Sequence, residues 1–208
     1  LRVVLARINM NGVLGDKNVR DAVISAADRK NYADVLLKGT FLPGSAPIPP
    51  SMDYGFDQLK DPNAYNPDRS KQLLAQSGWT DTNGDGIVDK NGQPLTFNFI
   101  VYNSRAELPL YAEALQADLK KIGIDMKIQT VDYNLLDGIG KEGKYDMLIS
   151  NIVTANTGDP IWIRGNYWHT NIDGSNPQNG SGYSNPQVDQ LLEAATVEFD
   201  PAKRREYA

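Results

Sequence analysis

The sequence predicts an α/β fold in which a mostly parallel sheet is flanked by helices. Between residues 95 and 150 two kinds of segment follow each other in turn. In one kind apolar and polar residues alternate, and in the other the apolar residues recur every three or four positions. The order is strand, helix, strand, helix, strand over about 55 residues, which implies two right-handed crossovers and therefore parallel strands. The 208 residues, 40% of them hydrophobic, suffice for one ordinary domain with its own core.

The first 39 residues predict one strand and two helices. The strand covers 2–9, where β-branched and aliphatic residues predominate. Asp16 is placed to cap a helix over 19–27. A shorter helix over 28–37 ends at Gly39, because glycine favours the left-handed conformation that closes helices.

Residues 40–66 are predicted to form a long irregular excursion over the surface. Proline lacks the amide donor that a helix or a sheet requires, and this segment is rich in it. The next helix begins at Asn66, which provides a cap, with Pro67 in its first turn. Leu73 and Leu74 form its buried side, and Gly78 ends it.

The central segment supplies the sheet. The predicted elements are a strand over 95–101, a helix with the apolar stripe Tyr111, Leu115, Leu119 and Ile122, a strand over 124–130, a short helix over 133–139 and a strand over 145–150. Residues 158–184, rich in Asn, Gly and aromatic residues, are predicted to loop across one end of the sheet. Asn185 and Pro186 begin a last amphipathic helix, with its inward face formed by Val188, Leu191, Leu192 and Ala195.

Both ends of the chain resemble cuts through a longer protein. The chain begins with Leu1 rather than an initiator methionine, and Asp200 and Pro201 begin a helix shortly before the sequence stops. We therefore expect a fragment.

Composition excludes several classes of protein. The net charge of -5 and a sequence pI of ≈ 4.9 argue against a nucleic-acid surface, which requires clustered Lys and Arg. The sequence has no apolar run of the roughly 18 residues that a membrane span needs. It contains no Cys, which excludes disulfides, thiolate metal sites and Cys nucleophiles.

Polar residues follow each of the three predicted parallel strands. In open α/β sheets ligands bind beyond the carboxyl ends of the strands, so these residues are candidates for a binding site. They are Asn103, Ser104 and Arg105 after the first strand, Asp132 and Tyr133 after the second, and Asn151, Thr154, Asn156 and Asp159 after the third. Trp162, Tyr167 and Trp168 are candidate apolar walls.

Two of these residues carry opposite charges that suit a zwitterionic ligand such as a peptide. Arg105 can donate two hydrogen bonds to a carboxylate, and Asp159 can hold an ammonium group. The alternative interpretation is structural: Arg105 is a solvated charge, Asp159 caps a turn or helix, and the aromatic residues belong to the core.

Residues 81–89 resemble the first part of a calcium-binding loop. Oxygen ligands stand at positions one, three, five and nine, in Asp81, Asn83, Asp85 and Asp89, and position six is a glycine. Gly92 stands where an EF-hand has its bidentate Glu. The alternative is a tight Asx and Gly turn. No cofactor is required, and calcium stays a hypothesis.

Two further features bear on metal binding and catalysis. His169 is the only His, so it cannot build a zinc site without other strong ligands, and a surface loop position is the simpler interpretation. Asp132 and Asp137 could be the carboxylate pair of a hydrolase, although nothing in the sequence builds a saccharide cleft around them.

Several segments, in order, resemble the peptide/nickel type of bacterial extracytoplasmic solute-binding protein and cover nearly the whole chain. They are Asn18-Val19-Arg20-Asp21-Ala22, Ala27-Asp28-Arg29, Tyr65-Asn66-Pro67-Asp68-Arg69, Leu73-Leu74, Gly78-Trp79, Asp85-Gly86, Asn91-Gly92-Gln93-Pro94-Leu95, Leu119, Ile122-Gly123-Ile124, Tyr145-Asp146, Gly158-Asp159-Pro160 and Tyr183-Ser184-Asn185-Pro186-Gln187-Val188-Asp189.

The resemblance implies a lobe of a periplasmic-binding-protein type II fold, with residues 1–208 forming much of the second, C-terminal lobe. It implies no catalysis but capture of a solute between two lobes and delivery to an ABC importer permease, outside the cytoplasm, with any membrane contact through a lipid anchor beyond this fragment. In dipeptide-binding relatives an Arg and an Asp at the positions of Arg105 and Asp159 hold the two ends of the ligand. In nickel-importing relatives a His on this lobe meets the metal chelate, which makes His169 a second candidate.

The expected ligand is therefore a di- or oligopeptide, contacted by Arg105, Asp159, Asn103, Tyr133, Asn151 and Trp162. A nickel chelate or a saccharide is the alternative within the same family. A carboxylate-dependent hydrolase and a calcium-stabilised interaction module are the alternatives from other classes.

Overall fold

The computed structural model describes residues 2–52, 54, 56–153 and 159–207. The strands are β1 (Arg2–Ile8), β2 (Asp89–Lys90), β3 (Gln93–Pro94), β4 (Thr96–Tyr102), β5 (Asp125–Val131) and β6 (Met147–Val153). The α-helices are α1 (Lys17–Ala26), α2 (Arg29–Asn31), α3 (Pro67–Gln76), α4 (Glu107–Lys121), α5 (Leu136–Glu142), α6 (Ile161–Trp168), α7 (Pro186–Val197) and α8 (Pro201–Tyr207). Short 3-10 turns occupy Val13–Gly15, Phe56–Gln58 and Tyr133–Leu135, and a π turn occupies Tyr32–Leu36.

The main sheet has four strands in the order β1-β6-β4-β5. β4 runs parallel to both β5 and β6, which confirms the mostly parallel sheet that the central segment predicts. β1 pairs with β6 and runs antiparallel to it. The sequence predicts β1 as a strand but not its partner or its direction.

The two crossover helices lie on opposite faces of the sheet. Phe97 and Phe99 of β4 pack into the large core that also contains Leu119 of α4. Ile100 faces the other way and packs with Ile139 of α5 in a smaller cluster. The first crossover leads from β4 outward to β5, and the second leads back past β4 to β6. Because both crossovers are right-handed but run in opposite directions, their helices lie on opposite faces of the sheet.

The predicted helix starts are confirmed by their hydrogen bonds. The side chain of Asp16 accepts from the amide of Asn18 at the start of α1, and Asn66 accepts from Arg69 at the start of α3. Each side chain satisfies an amide that has no partner within its helix. None of the helices in the described ranges is long and apolar enough to cross a membrane.

Two predictions about the C-terminal third are wrong. The sequence predicts a loop over residues 158–184, but α6 occupies Ile161–Trp168 within this range. Leu191 was expected to face inward on α7, yet 45% of it is exposed, whereas Leu192 and Ala195 are buried. Successive residues of a helix are turned by about 100° around its axis. Because Leu192 and Ala195 define the buried stripe, Leu191 lies at the edge of that stripe.

In the described residues of the excursion over 40–66, the structure has one 3-10 turn, Phe56–Gln58, and is otherwise irregular. The excursion is held against α2 by Arg29. The guanidinium donates to the carbonyl of Gly44 at 2.8 Å and to that of Asn63 at 2.8 Å, and forms an ion pair with Asp61 at 2.5 Å. One side chain therefore ties both ends of the excursion together.

Three glycines mark a close backbone contact between α5 and the loop that precedes α7. A Cβ atom on Gly180 would lie 1.9 Å from the carbonyl oxygen of Gly140. A Cβ atom on Gly143 would lie 2.5 Å from the carbonyl oxygen of Gly180, and Gly143 also has a positive φ of 65°. Only glycine fits where two backbones approach so closely.

Asp118 of α4 is a buried acid that holds the segment after α1 in place. It is 8% exposed and accepts a hydrogen bond from the Tyr32 hydroxyl. It also accepts from Lys121 Nζ at 2.7 Å and from the amide of Asp28 at 3.3 Å. Burial raises the pKa of Tyr32 well above its ordinary value, and the hydrogen bond to Asp118 adds to that shift.

Candidate functional site

The carboxyl ends of β4 and β5 bring two tyrosines and an arginine together. Tyr102 ends β4 and Tyr133 follows β5, and their rings meet edge to face with centroids 5.2 Å apart. Burial raises the pKa of Tyr102, and the positive charge of Arg105 opposes that shift because the guanidinium lies beside the phenol oxygen. Tyr102 was not among the predicted site residues, although its place at the end of an alternating strand was visible.

The outer part of this group is open to solvent. Tyr133 is 60% exposed, Asn103 is exposed and Arg105 is half-buried. An accessible aromatic face beside a partly desolvated guanidinium can stack on an apolar or peptide group while it donates to an anion.

Asn151 lies on β6 and has a partner within the chain. Arg2 Nη1 lies 3.3 Å from the Asn151 carbonyl oxygen and 3.4 Å from its side-chain oxygen. Arg2 reaches this edge because β1 runs antiparallel to β6, with Arg2 opposite Val153. Local sequence patterns do not reveal this second cation, because they do not specify the pairing of β1.

Both carboxylate oxygens of Asp159 are engaged by the chain itself. Oδ1 accepts the amide of Ile161 at 2.9 Å at the start of α6, and Oδ2 forms an ion pair with Arg204 of α8. The role of Asp159 in holding a ligand ammonium stays a prediction, but the carboxylate already has a cationic partner. Thr154 and Asn156 lie outside the described residues.

The three candidate aromatic walls lie on α6 and behave differently. Trp162 is 52% exposed. Tyr167 and Trp168 contact each other edge to face at 6.2 Å, and the guanidinium carbon of Arg7 lies 5.1 Å from the centre of the Tyr167 ring. Tyr167 is thus a packing partner of β1, as the structural interpretation has it, and Trp162 is the wall residue that is accessible.

The calcium-like loop directs its oxygens at its own backbone. Asp81 accepts the amides of Gly84 and Gly86, at 2.7 and 2.9 Å. In the same way the side chain of Asn83 accepts the amide of Asp85, and that of Asp85 accepts the amide of Ile87. The carboxylate of Asp89 accepts hydrogen bonds from both the amide and the hydroxyl of Thr82.

These are the hydrogen bonds of an Asx and Gly turn. Within the described residues no three His, Cys, Asp or Glu side chains are grouped to hold a metal ion. Calcium binding at Asp81, Asn83, Asp85 and Asp89 stays a prediction.

The two acids considered for a hydrolase serve local structure. Asp132 accepts the amide of Asn134 at 2.8 Å. Asp137 is paired with Lys141 at 2.7 Å, and that hydrogen bond lowers the pKa of Asp137. A general acid needs a raised pKa, so the shift at Asp137 runs in the opposite direction.

Sequence comparison identifies the family. A model of the bacterial extracellular solute-binding proteins, family 5, middle region, matches residues 1–175. The chain belongs to this family. Oligopeptide-binding protein AppA of Bacillus subtilis (strain 168) is 37% identical over 130 residues, which is 61% of this chain and 23% of AppA. The nickel-binding periplasmic protein of Escherichia coli (strain K12) is 31% identical over 146 residues, 70% of this chain and 28% of that protein.

The structural comparison agrees. AppA from Bacillus subtilis, solved in complex with a nonapeptide, superimposes with a TM-score of 0.87 at 27% identity, covering 100% of this chain and 41% of AppA. The chain therefore has the type II periplasmic-binding-protein fold that the resemblance implies, and it spans less than half the length of these family-5 relatives. Both of these relatives are named for what they bind, an oligopeptide in one case and nickel in the other.

In this family-5 chain the only His stands in a cleft between α6 and α7. The cleft has a volume of about 450 Å³ and is lined by His169, Asn176, Leu192, Glu193 and others. His169 Nε2 lies 3.1 Å from Glu193 Oε1, Nδ1 lies 3.1 Å from the Thr170 carbonyl oxygen, and Asp189 is 4.0 Å away. The hydrogen bond with Glu193 raises the pKa of His169.

This pKa shift predicts a pH-dependent stability. A raised folded-state pKa means that the contribution is fully present below the ordinary value of 6.5 and is lost as the pH rises through the folded-state pKa. At about pH 5.5 we expect the free energy of unfolding of wild type to exceed that of His169→Gln by less than about 1 kcal/mol, because Glu193 is exposed to solvent. Near pH 8.5, where His169 is neutral, we expect this difference to vanish. Urea denaturation at both pH values measures it. A difference that grows with pH would contradict the assignment.

A second cleft, of about 440 Å³, lies on the face of the sheet that carries Ile100. Its lining includes Asn9, Asn98, Gln129, Tyr145 and Asp146. None of the six residues predicted to contact a peptide is among those that line either cleft, whereas His169, the candidate for a metal chelate, lines the first. The candidate peptide site is therefore the open edge beyond β4 and β5.

Proposed function

We propose that this chain is a lobe of the substrate-binding component of an ABC importer and that its solute is a peptide. The observation that carries the proposal is the guanidinium of Arg105 beside the Tyr102–Tyr133 pair at the carboxyl ends of two parallel strands. Arg105 donates two parallel hydrogen bonds to the ligand carboxylate, and the open face of Tyr133 packs against the adjoining peptide group.

The relatives support a peptide or a nickel chelate as the solute. AppA was solved with a nonapeptide, and the Escherichia coli relative is a nickel-binding protein. We favour the peptide because the edge beyond β4 and β5 presents a cation, Arg105, and an exposed aromatic ring, Tyr133. A nickel chelate is the second candidate, and for it the carboxylate of the chelating molecule takes the place at Arg105.

The mechanism is capture and release. The solute bridges this lobe and a second lobe, closure buries it, and the closed form docks on the permease. A single lobe binds weakly, because about half of the contacts are missing while most of the entropic cost of association remains. The protein works outside the cytoplasm, and a lipid anchor outside this sequence is one way to keep it at the membrane.

The test uses the full-length protein that contains this sequence. We expect Arg105→Ala to weaken binding of a tripeptide library with free carboxyl ends by about 10- to 100-fold, the usual range for a hydrogen-bonded charge. The same library with amidated carboxyl ends should bind wild type and variant alike, as measured by isothermal titration calorimetry. Lys127→Ala is the matched control, since it removes an exposed cation from β5.

Mass spectrometry of the solute that copurifies with the protein provides the independent check. Recovery of a saccharide, or an equal loss of affinity for the free and amidated libraries in Arg105→Ala, would contradict the role given to Arg105. Recovery of a nickel chelate would select the second candidate.

A further inference from the structure

Four Asn-Gly pairs occur in the sequence, at 11–12, 83–84, 91–92 and 179–180. Such a pair is chemically reactive, because the backbone nitrogen of a glycine meets no side chain when it approaches the amide of the preceding Asn. The reaction forms a cyclic imide and releases ammonia. It requires a free backbone nitrogen and a side chain that can turn towards it, so the hydrogen bonds and the burial of each pair decide whether it reacts.

Asn83 is exposed, but the loop over 81–89 binds both of its reacting groups. The Asn83 Oδ1 atom accepts the amide of Asp85 at 2.9 Å, and Nδ2 donates to the Asp85 carboxylate at 3.1 Å. The attacking nitrogen belongs to Gly84, and it donates to the Asp81 carboxylate at 2.7 Å. Formation of the imide would therefore break all of these hydrogen bonds.

Asn179 is protected by burial as well as by hydrogen bonds. It is 2% exposed, and its Nδ2 atom donates to the carbonyls of His169 and Tyr183, at 2.9 and 2.8 Å. The backbone of Gly180 is packed so closely that a Cβ atom there would lie 1.9 Å from the carbonyl oxygen of Gly140. The peptide that would attack therefore has no room to rotate towards the side chain.

Asn11 and Asn91 differ from these two residues in both respects. Each is exposed, and so is the glycine that follows it. Within the described ranges neither side chain forms a hydrogen bond, and neither do the amides of Gly12 and Gly92. Asn91 and Gly92 form the tip of the hairpin between β2 and β3, and Asn11 lies in the bend that follows β1. The attacking nitrogen and the side chain are thus both available.

We propose that Asn11 and Asn91 are sites of spontaneous deamidation in the folded protein and that the other two Asn-Gly pairs are protected. At the first site the Gly12 nitrogen bonds to Asn11 Cγ, the bond from Cγ to Nδ2 breaks, and Nδ2 leaves as ammonia with the proton of the Gly12 amide. Water then adds to one of the two imide carbonyls and opens the ring, which leaves an aspartate or an isoaspartate. Each event replaces a neutral amide by a carboxylate and makes the net charge of -5 more negative.

The modification of Asn11 changes the contact between the end of β1 and the loop before α7. The amide of Met10 donates to the carbonyl of Ser181 at 2.7 Å, and the Asn11 side chain lies against Gly182, where a Cβ atom would be 3.0 Å from Nδ2. Asn11 and Gly12 also line the second cleft, of about 440 Å³. Deamidation therefore introduces a negative charge into this cleft, and an isoaspartate lengthens the backbone beside it.

The test follows the four pairs in the full-length protein during incubation in mildly alkaline buffer, by mass spectrometry of its proteolytic peptides. The gain in mass when an amide becomes an acid identifies each product. We expect Asn11 and Asn91 to react at least about tenfold faster than the protected pairs, which first need a local opening of the structure. In concentrated urea, where that opening is complete, the four rates should converge.

Two variants show whether the hydrogen bonds decide the outcome. Asp81→Ala removes the acceptor of the Gly84 amide and should speed the reaction of Asn83 about fivefold, the factor that corresponds to one hydrogen bond. No acceleration in this variant would contradict the protective role of the loop. Asn11→Gln is the matched control: the longer side chain closes a less favourable ring, so the reaction at that position should stop while Asn91 reacts as before.

Two results with the wild-type protein would overturn the inference. In the first, Asn83 or Asn179 reacts as fast as Asn11 in the folded protein, which would mean that hydrogen bonds and burial give no protection. In the second, Asn11 or Asn91 stays unmodified in the folded protein while the same pair reacts in urea. Either result would leave the proposed function intact, because the proposed peptide site includes none of these residues.

Discussion

Replacing Gly180 by Ala is expected to lower the free energy of unfolding by about 3 kcal/mol or more, the upper range for forcing an extra group into a close contact. The added Cβ atom would lie 1.9 Å from the carbonyl oxygen of Gly140. The obstacle is backbone, so no side-chain rotation relieves it, and the loop before α7 has to move away from α5. Urea denaturation followed by circular dichroism gives the size of the loss.

Gly138 is the matched control, because it lies on α5 two positions from the contact and is exposed. A Cβ atom at Gly138 meets nothing within 4 Å. Gly138→Ala should therefore raise the stability by about 0.5–1 kcal/mol, the ordinary difference between the two residues inside a helix. Equal tolerance of both substitutions would show that the two backbones do not approach closely in solution.

Asp118→Ala is expected to cost about 2–4 kcal/mol, because it leaves the buried Tyr32 hydroxyl and the Asp28 amide without an acceptor. Tyr32 is 7% exposed, so water does not easily replace the lost carboxylate. The segment after α1 should loosen from α4, which hydrogen exchange of the amides of Asp28 and Tyr32 would report alongside the denaturation midpoint.

The control for Asp118 is a surface ion pair on β5, the strand that follows α4. Asp125 pairs with Lys127 at 2.7 Å, and 39% and 61% of their side chains are exposed. Asp125→Ala should change the stability by less than about 0.5 kcal/mol. Tyr32→Phe should fall between the two variants, since it removes the hydroxyl but leaves the carboxylate with Lys121. A loss in Asp118→Ala no larger than in Asp125→Ala would refute the buried network.

Most elements of the fold follow from local sequence patterns. The alternation around Phe97 and Phe99 identifies β4, and Asn66 and Gly78 bracket α3, because these features depend on neighbours within a few residues. α6 escaped prediction because its eight residues contain Gly165 and are embedded in a segment rich in Asn and Gly. The antiparallel pairing of β1 escaped it because no local pattern specifies a partner strand so far away.

The sequence predicts those residues of the candidate site that directly follow a parallel strand. Sequence order predicts Arg105 and Tyr133 beyond the ends of β4 and β5, and in the structure the Tyr133 ring contacts that of Tyr102, the last residue of β4. Arg204 could not be found in this way, since its approach to Asp159 depends on how α7 and α8 fold back across the molecule. The same holds for Arg2, whose position depends on the pairing of β1.

The pairing of β1 with β6 has a consequence for biosynthesis. The partners are 139 residues apart at Ile8 and Met147 and 151 residues apart at Arg2 and Val153. During translation β1 is made before its hydrogen-bonding neighbour, which follows 139 residues or more later along the chain. Such long-range pairing slows folding, and until it forms the apolar residues Val3, Val4 and Leu5 remain on an unpaired strand that needs protection from aggregation.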